Sequence, residues 1–206
     1  ASTAQTYLTL AAELLKTEHR PLLVLVGGLS GSGKSTFANF VAPMLGAVRI
    51  RSDRERKRLA ARFQIRDKGA LYSQDMTSQT YAQLINIARI SMKAGISVIV
   101  DATLTESKYV NDFLALSISS TCRFTMFECV ASESIMRERL IERSRLGTDP
   151  SDATVDVLSR QLLTKDKQKQ LPGLPVIQMV YNTGTLSDLE AQARELIQPL
   201  RQNLMH

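Results

Sequence analysis

The run Gly28-Leu29-Ser30-Gly31-Ser32-Gly33-Lys34-Ser35 constrains this chain more than any other feature. It fits the pattern G-x-x-x-x-G-K-[ST] at every fixed position. The unbroken apolar stretch Leu22-Leu23-Val24-Leu25-Val26 precedes it, and a helical pattern from about Gly33 to Leu45 follows. A buried strand, a glycine turn and a helix start, in that order, converge successive backbone N–H groups on one point and make an anion nest. Lys34 is then placed to reach the β- and γ-phosphates of ATP, and the Ser35 hydroxyl to ligate Mg²⁺. The expected phosphate-binding set is Gly28, Ser30, Gly31, Ser32, Gly33, Lys34, Ser35 and Thr36.

Four more apolar stretches read as strands: Val48–Asp53, Ile96–Asp101, Arg123–Val130 and Val176–Tyr181. Helical patterns cover roughly 4–16, 54–62, 76–93, 106–118, 132–145, 152–168 and 186–203. Strands that alternate with helices pair in parallel, because a parallel connection needs a crossover. The expected fold is therefore an α/β P-loop NTPase three-layer sandwich, with a five-stranded parallel sheet and an arginine-rich helical lid. One domain is expected over 1–206: an N-terminal helix in 1–20, a nucleotide-binding core in 21–135, a lid in 136–152, and helices with the last strand in 153–206.

Composition narrows the partners. With 26 basic and 20 acidic side chains among 206 residues, the net charge is +6, which points to an anionic partner. Residues 49–68 alone hold nine Lys or Arg against three acids. The chain has no Trp and few aromatics, so a stacking surface for single-stranded nucleic acid is poorly supplied, and a nucleotide site is the better reading. No apolar run approaches the roughly 20 residues of a membrane span, and no charged-then-apolar leader opens the chain. The start at Ala1-Ser2-Thr3, without Met, suggests processing or a domain cut from a longer protein. Cys122 and Cys129 read as buried free thiols, in keeping with a reducing cytoplasm.

In open parallel sheets, ligands sit beyond the carboxyl ends of the strands. Asp53 and Asp101 are expected there, each ending a strand. Asp101 is placed to hold Mg²⁺, and Asp53 to take the proton of an attacking hydroxyl, with Arg56 three residues on for an anionic group. Each Asp is equally suited to cap the helix that follows. Arg54, Lys57, Arg58 and Arg62 read as a solvated helical face. In 136–145 four arginines lie on one predicted helix, with Arg139 and Arg143 on a common face. They either meet the transferring phosphate or pair with neighbouring acids at helical spacing.

The phosphate loop, Arg51-Ser52-Asp53-x-x-Arg56, Ser97-Val98-Ile99-Val100-Asp101-Ala102-Thr103 and Asp149-Pro150-Ser151-Asp152-Ala153 together resemble the P-loop kinases of the AAA_33 group. The likeness is strongest to the C-terminal kinase-like domain of bacterial proteins that carry an aminoglycoside-phosphotransferase-like domain in front of it. Wider relatives are polynucleotide 5′-kinase, the zeta toxins, chloramphenicol phosphotransferase and gluconate kinase. The resemblance implies that Asp53 is the base that activates the acceptor hydroxyl and that Arg56 contacts the acceptor. It also implies that Arg139 and Arg143, with Arg137 less closely matched, contact ATP from the lid. It sets the loop Asn182-Thr183-Gly184-Thr185 against the adenine, with Thr183 as the contact. Related modules often carry arginines just after the Asp-Ala-Thr element, where this chain has Glu106-Ser107-Lys108.

The expected activity is transfer of the γ-phosphate of ATP·Mg²⁺ to a hydroxyl of a small molecule, in the cytoplasm, with a fused or associated phosphotransferase-like domain as partner. The alternatives are a polynucleotide or nucleotide 5′-hydroxyl kinase, and a non-catalytic ATP-binding regulatory module.

Overall fold

The computed structural model describes residues 20–146, 153–164 and 177–202. Its first strand, β1 (Leu22–Gly27), is buried at all six positions. Side chains alternate across a strand. Leu23 and Leu25 therefore enter one core, and Leu22, Val24 and Val26 enter another. A strand apolar on both faces needs cover on both, and β1 lies at the centre of a parallel sheet ordered β2-β3-β1-β4-β5. The other strands are β2 (Val48–Arg51), β3 (Val98–Asp101), β4 (Arg123–Val130) and β5 (Gln178–Tyr181).

The described helices are α1 (Lys34–Leu45), α2 (Ser52–Arg62), α3 (Lys68–Leu71), α4 (Gln74–Lys93), α5 (Ser107–Ser119), α6 (Glu133–Leu146), α7 (Val155–Thr164) and α8 (Leu186–Gln202). On one face of the sheet, Tyr81, Leu84 and Ala88 of α4 and Val110 and Phe113 of α5 pack over Leu23, Val98 and Met126. On the other face, Phe37 and Val41 of α1 and Leu189, Ala193 and Ile197 of α8 cover Val24, Ile99 and Phe127. Phe37 and Phe127 meet edge-to-face at 5.2 Å between ring centroids. A third cluster joins the phosphate loop to α6 and α7: Leu29 packs with Met136 and Leu140 of α6 and Leu158 of α7.

The five strands and their parallel pairing match the expectation, and three local features differ. The second strand stops at Arg51 and α2 begins at Ser52, so Asp53 sits in the first turn of a helix and does not end a strand. Carboxylates are favoured there by the helix dipole. The third strand begins at Val98, because Ile96 N–H still bonds back to Ser91 O at the end of α4. The short helix α3 was not expected; Asp67 caps it by accepting from Ala70 N–H at 2.7 Å. Cys129 is buried, whereas Cys122 is only half-buried, and neither forms a disulfide. The expected helix at 4–16, the Asp149–Asp152 part of the lid loop, and 165–168 of the predicted 152–168 helix lie outside the described residues.

Candidate active site

The phosphate loop leaves β1 and turns into α1 through two glycines whose φ angles are open to few other residues. Gly31 has φ +83°, and a Cβ there would meet Met136 O at 2.6 Å. Gly33 has φ +90°, and a Cβ there would meet Asn182 Nδ2 at 1.8 Å. The loop is thus clasped between α6 and the segment after β5. Asn182, buried, donates from Nδ2 to Ser32 O at 2.9 Å. Arg139 donates to Gly31 O at 3.3 Å and to Asn182 O at 3.2 Å. Ser30 N–H donates to Gln161 Oε1 of α7 at 2.9 Å. These braces join residues far apart in sequence, and of the bracing side chains only Gln161 belongs to no motif read from the chain order.

A cavity of about 690 Å³ opens beside the loop, with Ser30, Lys34, Asp53 and Arg56 among its walls. Tyr72, Gln74, Thr77, Thr103, Thr105, Glu106 and Arg160 line it as well. Four residues picked out separately from the sequence are therefore brought to one space. Arg56 is only 8% exposed. Its Nη1 donates to Leu71 O and to Thr77 Oγ1, both at 3.1 Å, and its guanidinium lies 5.2 Å from the centre of the Tyr72 ring. Those contacts hold the arginine in one orientation on the wall. They also explain α3: Leu71 and Tyr72 close its end and supply the carbonyl and the ring.

The far wall is set by a short left-handed step. Leu104 has φ +51°, and its N–H donates to the buried Tyr81 hydroxyl at 3.0 Å. Tyr81 stacks on Tyr109 at 3.7 Å between ring centroids. Burial pushes the Tyr81 hydroxyl above its ordinary value, so it stays protonated. The step turns Thr103 and Thr105 onto the cavity.

Asp101 ends β3 as expected, and it is 3% exposed. Its Oδ2 accepts from Ser35 Oγ at 2.8 Å and from Arg49 Nη2, and Arg51 Nε lies 3.6 Å away. The register of β2 on β3 sets Arg51 opposite Asp101, and Arg49, two residues back, shares its face. Asp101 Oδ1 is buried with no hydrogen-bond partner among the described residues. An orphaned carboxylate oxygen next to the Ser35 hydroxyl is an oxygen donor set that suits Mg²⁺. The residues fit the ion that the sequence implies.

Other residues expected at the site are not among the walls of this cavity. Arg143 of α6 donates to Ala153 O, just ahead of α7, at 3.2 Å. Arg137 is tied to Glu133 at 2.8 Å and to Ser159 Oγ at 3.2 Å. Thr183 is exposed in the loop after β5, next to the buried Asn182, and Thr36 is half-buried in the first turn of α1. The basic block divides. Arg54, Arg58 and Arg62 are exposed and Lys57 is half-buried, as a solvated face should be, whereas Arg49, Arg51 and Arg56 turn inward. Among the described residues there is no cluster of three or more His, Cys, Asp or Glu side chains for a metal, and no helix long and apolar enough to cross a membrane.

The AAA_33 family model, described as an AAA domain, matches residues 23–166. An uncharacterized protein of Mycobacterium tuberculosis is 33% identical over 141 residues, which cover 66% of this chain and 28% of that protein. The match thus spans little more than a quarter of the relative's length. Among solved structures, a gluconokinase from Sinorhizobium meliloti superposes with a TM-score of 0.62 at 20% identity, covering 90% of this chain and 96% of its own. The Mycobacterium tuberculosis APS kinase in complex with AMPPNP and APS gives 0.60 at 21% identity, covering 88% and 98%. At these identities the likeness establishes a shared P-loop kinase fold.

Proposed function

The chain belongs to the AAA_33 family, and we propose that it is an ATP-dependent phosphotransferase acting on a hydroxyl of a small molecule. The observation that carries the proposal is the single cavity walled by both Lys34 of the phosphate loop and Asp53 of α2. A phosphate donor and a proton acceptor facing one space is what phosphoryl transfer to an alcohol requires. The two small-molecule kinases with this fold support the same reading.

In this mechanism the loop backbone and Lys34 hold the β- and γ-phosphates of ATP. Ser35 and Asp101 would hold Mg²⁺, which supplies charge neutralisation on the phosphates. Asp53 accepts the acceptor's hydroxyl proton as its oxygen bonds to the γ-phosphorus, and the bond from that phosphorus to the β–γ bridging oxygen breaks, leaving ADP. Arg56, fixed by Leu71, Thr77 and Tyr72, orients the acceptor. Arg139 and Arg143 belong to the lid of residues 136–152, which excludes water as it closes, and Thr183 lies against the adenine. A fused or associated phosphotransferase-like domain is its partner in the cytoplasm, a reading supported by the match to only 28% of the Mycobacterium tuberculosis relative's length.

The test separates binding from chemistry. Asp53→Asn should bind ATP within about twofold of wild type, while turnover falls roughly 100-fold or more, the usual contribution of a positioned base. Turnover that survives the substitution would remove Asp53 from the role.

A further inference from the structure

The environment of Asp101 is more basic than a metal-binding carboxylate needs. Asp101 is nearly inaccessible, and a buried carboxylate must be paired. It meets two guanidiniums. Arg49, whose side chain is 12% exposed, bonds Oδ2 directly, and Arg51 approaches the same oxygen at 3.6 Å. Arg49 is also anchored on its other side, because its Nη1 donates to Asn39 Oδ1 of α1. It therefore bridges α1 to the end of β3, and the Ser35 hydroxyl reaches the same carboxylate oxygen. One carboxylate thus faces both Arg49 and Arg51.

We propose that Arg49 is a resident cation that stands in for Mg²⁺ on Asp101 when the nucleotide is absent. The inference rests on the reading of Ser35 and Asp101 as the metal-holding pair. A divalent cation arriving alone would meet a single carboxylate already held by one guanidinium and approached by a second, so the empty protein rejects it. The same cation arriving with a triphosphate brings its own negative charge and displaces the guanidinium from Oδ2. Metal and nucleotide are thereby made to bind together, and Asp101 is never left buried without a counter-ion. Arg49 is a positioning residue in this account: it acts on the metal through Asp101 and touches no substrate.

The test uses Mn²⁺ as the probe, followed by electron paramagnetic resonance of the full chain with no nucleotide present. Wild type should bind Mn²⁺ weakly. Arg49→Met should bind it at least tenfold more tightly, and Arg49→Lys, which keeps the charge, should stay near wild type. The gain should vanish in the double variant Arg49→Met/Asp101→Asn. Thermal unfolding supplies a second readout: Arg49→Met should lose stability in metal-free buffer, and Asp101→Asn should restore part of that loss. Equal Mn²⁺ affinity in wild type and Arg49→Met, or stability losses that simply add in the double variant, would overturn the proposal. The metal reading is judged apart from this, by Mn²⁺ binding to wild type with ATP. Binding there with no gain in Arg49→Met sinks only the role of Arg49. No binding even with ATP sinks the metal assignment and the proposal with it.

Discussion

Replacing Gly33 with alanine should damage the phosphate loop in a way that can be traced to one neighbour. An alanine at φ +90° occupies the left-handed region, which costs about 1–2 kcal/mol for a residue with a Cβ. The new Cβ would also sit 1.8 Å from Asn182 Nδ2, so the Asn182 side chain must leave its place. Its bond to Ser32 O at 2.9 Å is then lost, and the carbonyl is left buried without that donor, which costs about 1–3 kcal/mol more. The total is about 2–5 kcal/mol. For a domain of this size, each kcal/mol moves the melting temperature by roughly 2–4 °C, so the shift is on the order of 10 °C. Asn182→Ala alone should cost only the hydrogen-bond part, about 1–3 kcal/mol. The double variant is the decisive arm. The added Cβ lies 3.7 Å from Asn182 Cβ, an ordinary contact, so an alanine at 182 leaves room for it. Adding Asn182→Ala to Gly33→Ala should therefore cost almost nothing further. Urea unfolding of the four proteins measures this directly. Losses that add to within about 0.3–0.5 kcal/mol would refute the proposed conflict between the two positions.

Other expectations follow from the same geometry. Lys34→Met should leave the urea midpoint unchanged and weaken ATP binding by roughly 10–100-fold in calorimetric titration, the scale of one charge-assisted hydrogen bond. Stability should fall as pH rises above about 9. Burial pushes the Cys129 thiol far above its ordinary 9.0 and raises the Tyr81 hydroxyl above 10.0, so the folded protein keeps protons that the unfolded chain releases. The stability is fully present below the unfolded values and is lost as pH climbs past them. Cys129→Ala should flatten the decline between pH 9 and 10, and an unaltered slope would remove the thiol from this account.

Much of this was legible in the chain because the relevant signals are local. The phosphate loop is a contiguous motif, and Asp101 follows an apolar strand that could be read by itself. The cover on both faces of β1 was written in five consecutive apolar residues. The boundary at Asp53 was misplaced because Ser52 and Asp53 serve a helix start as well as a strand end. Gln161 and Arg160 carried no sequence signal, and neither the basic block that holds Arg49 nor the loop that holds Asn182 revealed what those two side chains touch, since that lies in contacts made across more than 40 residues (Arg49 on Asp101, Asn182 on Ser32, Gln161 on Ser30) or in facing a cavity that folding creates. The basic block shows the same limit. Its summed charge was evident, but only β2–β3 pairing and the Tyr72 ring decide which arginines turn inward.

Asp53 and the phosphate loop are proposed to act on one bound acceptor. The most direct measurement is transfer of label from γ-labelled ATP with Mg²⁺ into a fractionated cell extract, with wild type and Asp53→Asn side by side. A labelled small molecule that forms with wild type and not with Asp53→Asn is the predicted result, and its identification names the acceptor. Tight ATP binding with no product that depends on Asp53 would rule out Asp53 as the base and favour an ATP-sensing regulatory module.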